Sequence, residues 1–205
     1  GANFAKELDL TDHNGRPRTL ADFRGRVVAV FFGFTHCPDA CPTTLAEMAQ
    51  AVRELGPEGD KVQVLFVTVD PERDTAEVLK QYVPSFHPGF LGLYGDPEAT
   101  ARTAKEFKVF YQKQPLPGGG YSMDHTAGTY LYDREGRLVL INSAARVSQG
   151  WNAQSIGMTE RELLERALVE RRAADPERDW DGWMAKRLAT LERVGSFELT
   201  RPSGE

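Results

Sequence analysis

The chain is poor in cysteine, has no long apolar run and carries no excess of positive charge, and each lack removes a class of function. Of 205 residues, 25 are Lys or Arg and 30 are Asp or Glu, giving a formal charge of −5. This mildly acidic sequence has no long basic run, and so no electrostatic footprint of the clustered Lys and Arg on which nucleic-acid binding rests. The longest apolar stretch, residues 27–34, falls far short of the roughly 18–20 residues needed to cross a bilayer. The chain begins with Gly1 rather than Met, so we expect an upstream segment, an export signal or a membrane anchor, outside this sequence.

Two cysteines occur, Cys37 and Cys41, within Phe34-Thr35-His36-Cys37-Pro38-Asp39-Ala40-Cys41-Pro42. A bridge across so short a loop removes little entropy from the unfolded chain, which argues against a purely structural staple. The pair reads as chemical.

Apolar β-rich runs alternate with helical patterns, the signature of a mostly parallel or mixed sheet covered by helices. Strands are expected at about 27–34, 62–70, 90–94, 128–133 and 138–141. The run from Val62 to Val69 is nearly continuously apolar, as in a central strand buried on both faces. Helices are expected from Pro42 to Leu55 with Gly56 as the stop, from Thr75 to about Val83, and from Pro97 to about Phe107. Segments 4–10 and 18–23 flank Asp12-His13-Asn14-Gly15, whose Asn-Gly signals a hairpin. Pro115-Leu116-Pro117-Gly118-Gly119-Gly120 reads as an exposed loop that delivers the chain to His125. We divide the chain into a core over 1–142 and a charge-dense helical extension over 143–205. Apolar stripes at Leu163, Leu164, Ala167 and Leu168, and again around Trp180, Trp183 and Leu188, are expected to pack on the same domain.

A strand followed by a helix start favours negative charge at the cysteines and lowers thiol pKa. On a helix, positions four apart share a face with Cβ atoms about 5–6 Å apart, close enough for both sulfurs to meet one ion. The Cα separation is also near the 4.4–6.8 Å typical, roughly, of disulfides. Metal site and redox pair are both open. Of the four histidines, His13 reads as a solvated turn residue, His87 as loop, and His36 as a strand-end neighbour pointing away from Cys37. His125 can reach the carboxyl ends of the parallel strands, where an open α/β sheet builds its sites. Two thiolates and one imidazole suit copper or zinc, and copper fits the low donor count better. Asp124 is a candidate to tune that ligand.

With Cys37-Pro38-Asp39-Ala40-Cys41-Pro42, Val67-Thr68-Val69-Asp70-Pro71-Glu72-Arg73-Asp74-Thr75 and Tyr121-Ser122-Met123-Asp124-His125-Thr126 in this order, the sequence resembles the Sco/SenC family of copper proteins over residues 4–142. The resemblance implies a thioredoxin-like α/β fold, with a central mixed sheet flanked by helices and an N-terminal β-hairpin. It also implies one copper ion, Cu(I) or Cu(II), held by Cys37, Cys41 and His125. The implied function is that of a metallochaperone assisting assembly of the dinuclear copper site of cytochrome c oxidase. Implied partners are the oxidase's copper-site subunit, an upstream copper donor and a thiol reductant. The implied location is the periplasmic or extracytoplasmic face of a membrane, reached through an N-terminal anchor. The alternative is a thiol–disulfide reductant in which Cys37 and Cys41 form the redox pair and keep the oxidase cysteines reduced. Copper or redox sensing is a further reading. A thiol peroxidase shares the fold, but Phe34 stands where such enzymes place Thr. The segment from 143 onward departs from the family's usual short ending.

Overall fold

The computed structural model describes residues 4–126 and 128–143. Its strands are β1 (Asp9–Asp12), β2 (Pro17–Thr19), β3 (Val27–Gly33), β4 (Val62–Thr68), β5 (Leu91–Tyr94), β6 (Tyr111–Pro115), β7 (Tyr121–His125), β8 (Gly128–Tyr132) and β9 (Leu138–Ser143). Its helices are α1 (Ala40–Glu54), α2 (Ala76–Tyr82) and α3 (Pro97–Glu106). The chain divides into a unit of residues 3–139 and a second of residues 1–2 and 140–205. The expected helical extension, with its stripes over 163–168 and 180–191, lies outside the described residues.

Seven strands make one sheet in the order β2-β1-β5-β4-β3-β8-β9. β3, β4 and β5 run parallel, with Val27 beside Val62 and Leu65 beside Leu91. Parallel neighbours need a crossover, and α1 and α2 supply the two that are required here. β8 lies antiparallel on the other side of β3, and β1 antiparallel beside β5. This mixed sheet flanked by helices is the thioredoxin-like arrangement. Among the described residues no helix is long and apolar enough to cross a membrane.

Burial follows from the strand sequences. Val28 to Gly33 on β3 and Gln63 to Thr68 on β4 are buried without interruption, because helices or loops cover both faces. Alternation then sends adjacent phenylalanines opposite ways. Phe31 joins a chain of rings through Phe66, Tyr82 and Phe86, whereas Phe32 packs with Phe107 and Tyr130. The fully buried phenylalanine rings among them, Phe31, Phe32, Phe66 and Phe107, contribute roughly 1.5–3 kcal/mol each through burial. The buried tyrosines satisfy their hydroxyls: Tyr130 donates to the Phe107 carbonyl and Tyr132 to that of Ala5, each at 2.6 Å. α2 and α3 are capped as their sequences require, the Thr75 hydroxyl accepting from Val78 N–H and the Asp96 carboxylate from Ala99 N–H.

Two expectations are corrected. The N-terminal hairpin is shorter than 4–10 with 18–23, because Asp22 accepts the Thr19 N–H at 2.7 Å and turns Leu20–Phe23 into a 3-10 helix. The exposed loop expected over 115–120 is found at 116–120, but it is the turn between two strands that were not expected, with Pro115 closing the first. β6 and β7 pair antiparallel from Tyr111 with His125 to Pro115 with Tyr121, and residues 116–120 are the hairpin turn. Gly118, Gly119 and Gly120 all take positive φ there, a turn that only glycine enters freely.

Candidate metal centre

Cys37 and Cys41 are delivered by the carboxyl end of β3. The strand closes on Gly33, whose carbonyl accepts the Val69 N–H at 2.9 Å. A Cβ on Gly33 would stand 2.7 Å from the Phe66 ring and 2.9 Å from the Cys41 sulfur, so the absence of a side chain is what lets that sulfur pack down. Residues 34–39 then form a loop and α1 opens at Ala40. Cys41 therefore lies in the first helical turn, while Cys37 precedes the helix. The expected geometry of two sulfurs on one helix face gives way to a capping geometry. Asp39 supplies no side-chain cap, and the Cys37 sulfur takes that role by accepting the Cys41 N–H at 3.4 Å.

The two thiols differ. Cys37 is part-exposed and Cys41 fully buried. Burial pushes the Cys41 thiol far above its ordinary pKa, with Cys37 and Asp74 adding to the effect and a backbone hydrogen bond at Phe34 opposing it. For Cys41 this reverses the lowering expected from its place at a helix start: loss of solvent outweighs the helix dipole.

Asp74 fastens the cysteine loop to the sheet. Fully buried, its carboxylate accepts the Thr35 N–H at 3.0 Å, the Thr35 hydroxyl at 2.5 Å and the Thr68 hydroxyl at 2.6 Å. Three donors around one buried carboxylate compensate its desolvation. Nothing in local periodicity marks this residue. The usable signal was a dense polar run, Asp70 to Thr75, directly after the most apolar strand.

His125 ends β7 and reaches the cysteines. Its Nε2 lies 3.8 Å from the Cys41 sulfur, across 84 positions of sequence. Nδ1 lies 3.1 Å from the Thr126 carbonyl, which can only accept, so Nδ1 carries the proton and Nε2 keeps a free lone pair toward the sulfur. Burial lowers the His125 pKa against smaller opposing effects of the Thr126 carbonyl and the Asp124 charge, favouring the neutral, ligating ring. The Phe34 ring meets it edge-on at 5.7 Å. Asp124 is exposed, and strand alternation turns it to the other face of the hairpin.

The remaining histidines stay apart from this contact. His36 is exposed, with Nδ1 3.3 Å from the Thr35 hydroxyl. His87 accepts the Gly89 N–H and stacks on Phe90. His13 corrects the solvated-turn expectation: it is buried, and its Nδ1 accepts the Gly92 N–H at 3.0 Å. Among the described residues no three His, Cys, Asp or Glu side chains stand together as a ready metal-holding group. Assembling the three donors requires them to draw closer. Their chemistry, two sulfurs and one neutral imidazole nitrogen, nevertheless fits a soft or borderline metal such as copper.

The family model described as SCO1/SenC matches residues 1–154. The chain belongs to the SCO1/SenC family. Among its relatives in that family is the mitochondrial SCO2 homolog of Bos taurus, 43% identical over 146 residues, which span 70% of this chain and 55% of the relative. The chain thus spans about half the length of the curated SCO2 relatives it matches. Among solved structures, copper-bound ScoI of Bradyrhizobium japonicum is 45% identical with a TM-score of 0.63, covering 66% of this chain and 87% of that one. Copper-bound yeast Sco1 is 33% identical with a TM-score of 0.60, covering 71% and 80%.

Proposed function

We propose that this SCO1/SenC chain is a copper metallochaperone that holds one copper ion through Cys37, Cys41 and His125 and passes it to the dinuclear copper site of cytochrome c oxidase. The observation that carries this reading is the meeting of His125 Nε2 with the Cys41 sulfur, beside a second sulfur placed at the Cys41 amide. Copper in the ScoI and Sco1 relatives supports the choice of metal. The part-exposed Cys37 is the first sulfur that a copper donor meets. Transfer inward to Cys41 displaces the proton that burial holds on that thiol, and the neutral His125 adds its lone pair without losing a proton. Release to the oxidase subunit reverses the order through shared thiolate ligands. The mitochondrial designation of the SCO2 relatives and the lipoprotein designation of the Bacillus anthracis SCO1/SenC protein support a membrane-associated place outside the cytoplasm.

Anaerobic titration of the reduced protein and of His125→Ala with Cu(I), against a competing chelator, tests the assignment. One equivalent is expected to bind tightly, the substitution to weaken it severely, and the Cu(II) form to show a sulfur-to-copper charge-transfer band. Equal affinity in the two proteins would remove His125 from the site and the metallochaperone reading with it.

One observation favours a second reading, exchange of a disulfide with a target protein. Cys37 is accessible and Cys41 buried behind it, the arrangement in which an outer thiolate attacks and an inner thiol resolves. Attack by Cys37 on the target disulfide gives a mixed disulfide. Cys41 then closes the Cys37–Cys41 bond and leaves two target thiols. This activity is expected to survive His125→Ala, whereas copper binding is not.

A further inference from the structure

The proposed ligands lie on two separate pieces of structure. Cys37 and Cys41 follow the central sheet, whereas His125 sits on the β6–β7 hairpin, which shares no ladder with that sheet among the described residues. A two-stranded hairpin on its own is marginally stable. The chain enters β8 three residues after His125, and Thr129 pairs with Phe31 on β3, so the backbone holds the base of the hairpin near the cysteine loop and leaves the tilt of the hairpin to side chains. At the base of the hairpin Thr126 N–H donates to the Phe110 carbonyl and Phe110 N–H to the Thr126 hydroxyl, while the residue before it, Val109, donates its N–H to the Ala104 carbonyl of α3. Met123 buries its side chain, and an open pocket of about 180 Å³, lined in part by Val69, Pro71, Glu72, Tyr111, Lys113 and Met123, lies between the hairpin and the loop after β4.

Specific side chains do the fastening. The Arg73 guanidinium donates through Nη1 to the Tyr121 carbonyl at 2.9 Å, and its carbon lies 3.8 Å from the centre of the Tyr121 ring. Arg73 Nε donates to the Asp70 carboxylate at 2.5 Å, and the Tyr121 hydroxyl donates to the other oxygen of Asp70 at 2.8 Å. Asp70 is buried. Lys113 on β6 adds an exposed ion pair to Glu72. Arg73 Nη2 is buried and finds no hydrogen-bond partner among the described residues, a cost accepted in keeping the fork on Asp70 and Tyr121. The next residue, Asp74, holds the cysteine loop through Thr35. Five consecutive residues, Asp70 to Asp74, thus grip both halves of the site.

We propose that Arg73, acting with Asp70 and Tyr121, is the positioning unit that docks the β6–β7 hairpin so that His125 meets the cysteines. This deepens the copper reading and rests on it. Tyr121 lies four residues from His125 along β7, a lever of about 13 Å at strand rise. Loosening one end tilts the ring at the other.

The test uses the whole chain with Arg73→Gln, Tyr121→Phe and His125→Ala, and Arg73→Gln combined with His125→Ala. In the reduced, metal-free protein, NMR of the histidine rings is expected to show the His125 signal moving in Arg73→Gln while those of His13 and His87 stay in place. Cu(I) affinity is expected to fall about 10–100-fold, the range for residues that orient a metal ligand, and to fall no further when Arg73→Gln is added to His125→Ala. Arg73→Lys keeps the charge but loses the fork, and is expected not to restore the ring signal. Tyr121→Phe, which removes one hydroxyl from a half-exposed ring, is expected to move the signal in the same direction, and keeps the test decisive if Arg73→Gln folds poorly. An unmoved His125 signal in these variants overturns the proposal, and so does a copper loss that persists undiminished in the His125→Ala background. If His125→Ala binds copper normally while Arg73→Gln still moves the ring, the copper assignment falls and the positioning role stands.

Discussion

His13 depends on one nitrogen remaining unprotonated. Its Nδ1 accepts the Gly92 N–H at 3.0 Å in the buried seam between the first turn and β5. Protonation would set two N–H groups against each other. Burial lowers the His13 pKa; the Asp12 charge opposes this and the Lys80 charge adds to it. Because the folded pKa lies below the unfolded value of about 6.5, the folded state binds fewer protons than the unfolded one. Stability is therefore whole above pH 6.5 and declines as pH falls below it. Urea unfolding from pH 7.5 to 5.5 is expected to show that decline, with a shallower slope in His13→Ala. The variant should also be weaker at pH 7.5 by about 1–3 kcal/mol, the cost of a buried donor left unmet. A slope identical to that of the parent would rule His13 out as its source. His125, whose pKa burial also lowers, is expected to contribute in the same direction.

At the scale of elements, the central strands and all three helices were legible because their signals are local. β4 announces itself as an unbroken apolar run, and α3 by the cap and proline at Asp96-Pro97. β6 and β7 were not. Tyr111-Gln112-Lys113-Gln114-Pro115 carries no core face, and the glycines after it read as loop until the partner strand is known. The same division runs through the site. Cys37, Cys41 and His125 are chemically distinctive and stand out in the bare sequence, while the buried role of Asp74 depends on Thr35, 39 positions away. That loop contact has a measurable weight. Asp74→Ala removes the acceptor for three donors, two of them on Thr35 in the loop ahead of Cys37. A loss of roughly 2–4 kcal/mol in unfolding free energy is expected, with faster alkylation of Cys41 in the native protein as the loop loosens. Unchanged stability and alkylation would show that the loop is held from elsewhere.

At the scale of the molecule, the proposed site is a long-range cross-link made only when metal is present. Cys41 and His125 are 84 positions apart, and the donors come together only in the folded chain. A ligand that binds the folded state stabilises it by mass action, by about 2.7 kcal/mol at a hundredfold excess over Kd. Cu(I) is therefore expected to raise the thermal midpoint of the reduced protein, and removal by a chelator to return it. The effect also carries a sign with pH. Burial holds the proton on Cys41 well above the ordinary thiol range, so binding expels it and apparent affinity climbs as pH rises. A pH-independent Cu(I) affinity between 6 and 8 would mean that Cys41 does not lose a proton to the metal. Oxidation to a Cys37–Cys41 disulfide removes both sulfur ligands at once. It should abolish the copper-dependent rise while leaving the thioredoxin-like sheet folded, since so short a loop contributes little chain entropy to stability. With the proposed ligands, copper occupancy and thiol oxidation would exclude each other on the same two atoms, so the redox state of Cys37 and Cys41 would decide whether the proposed site can fill.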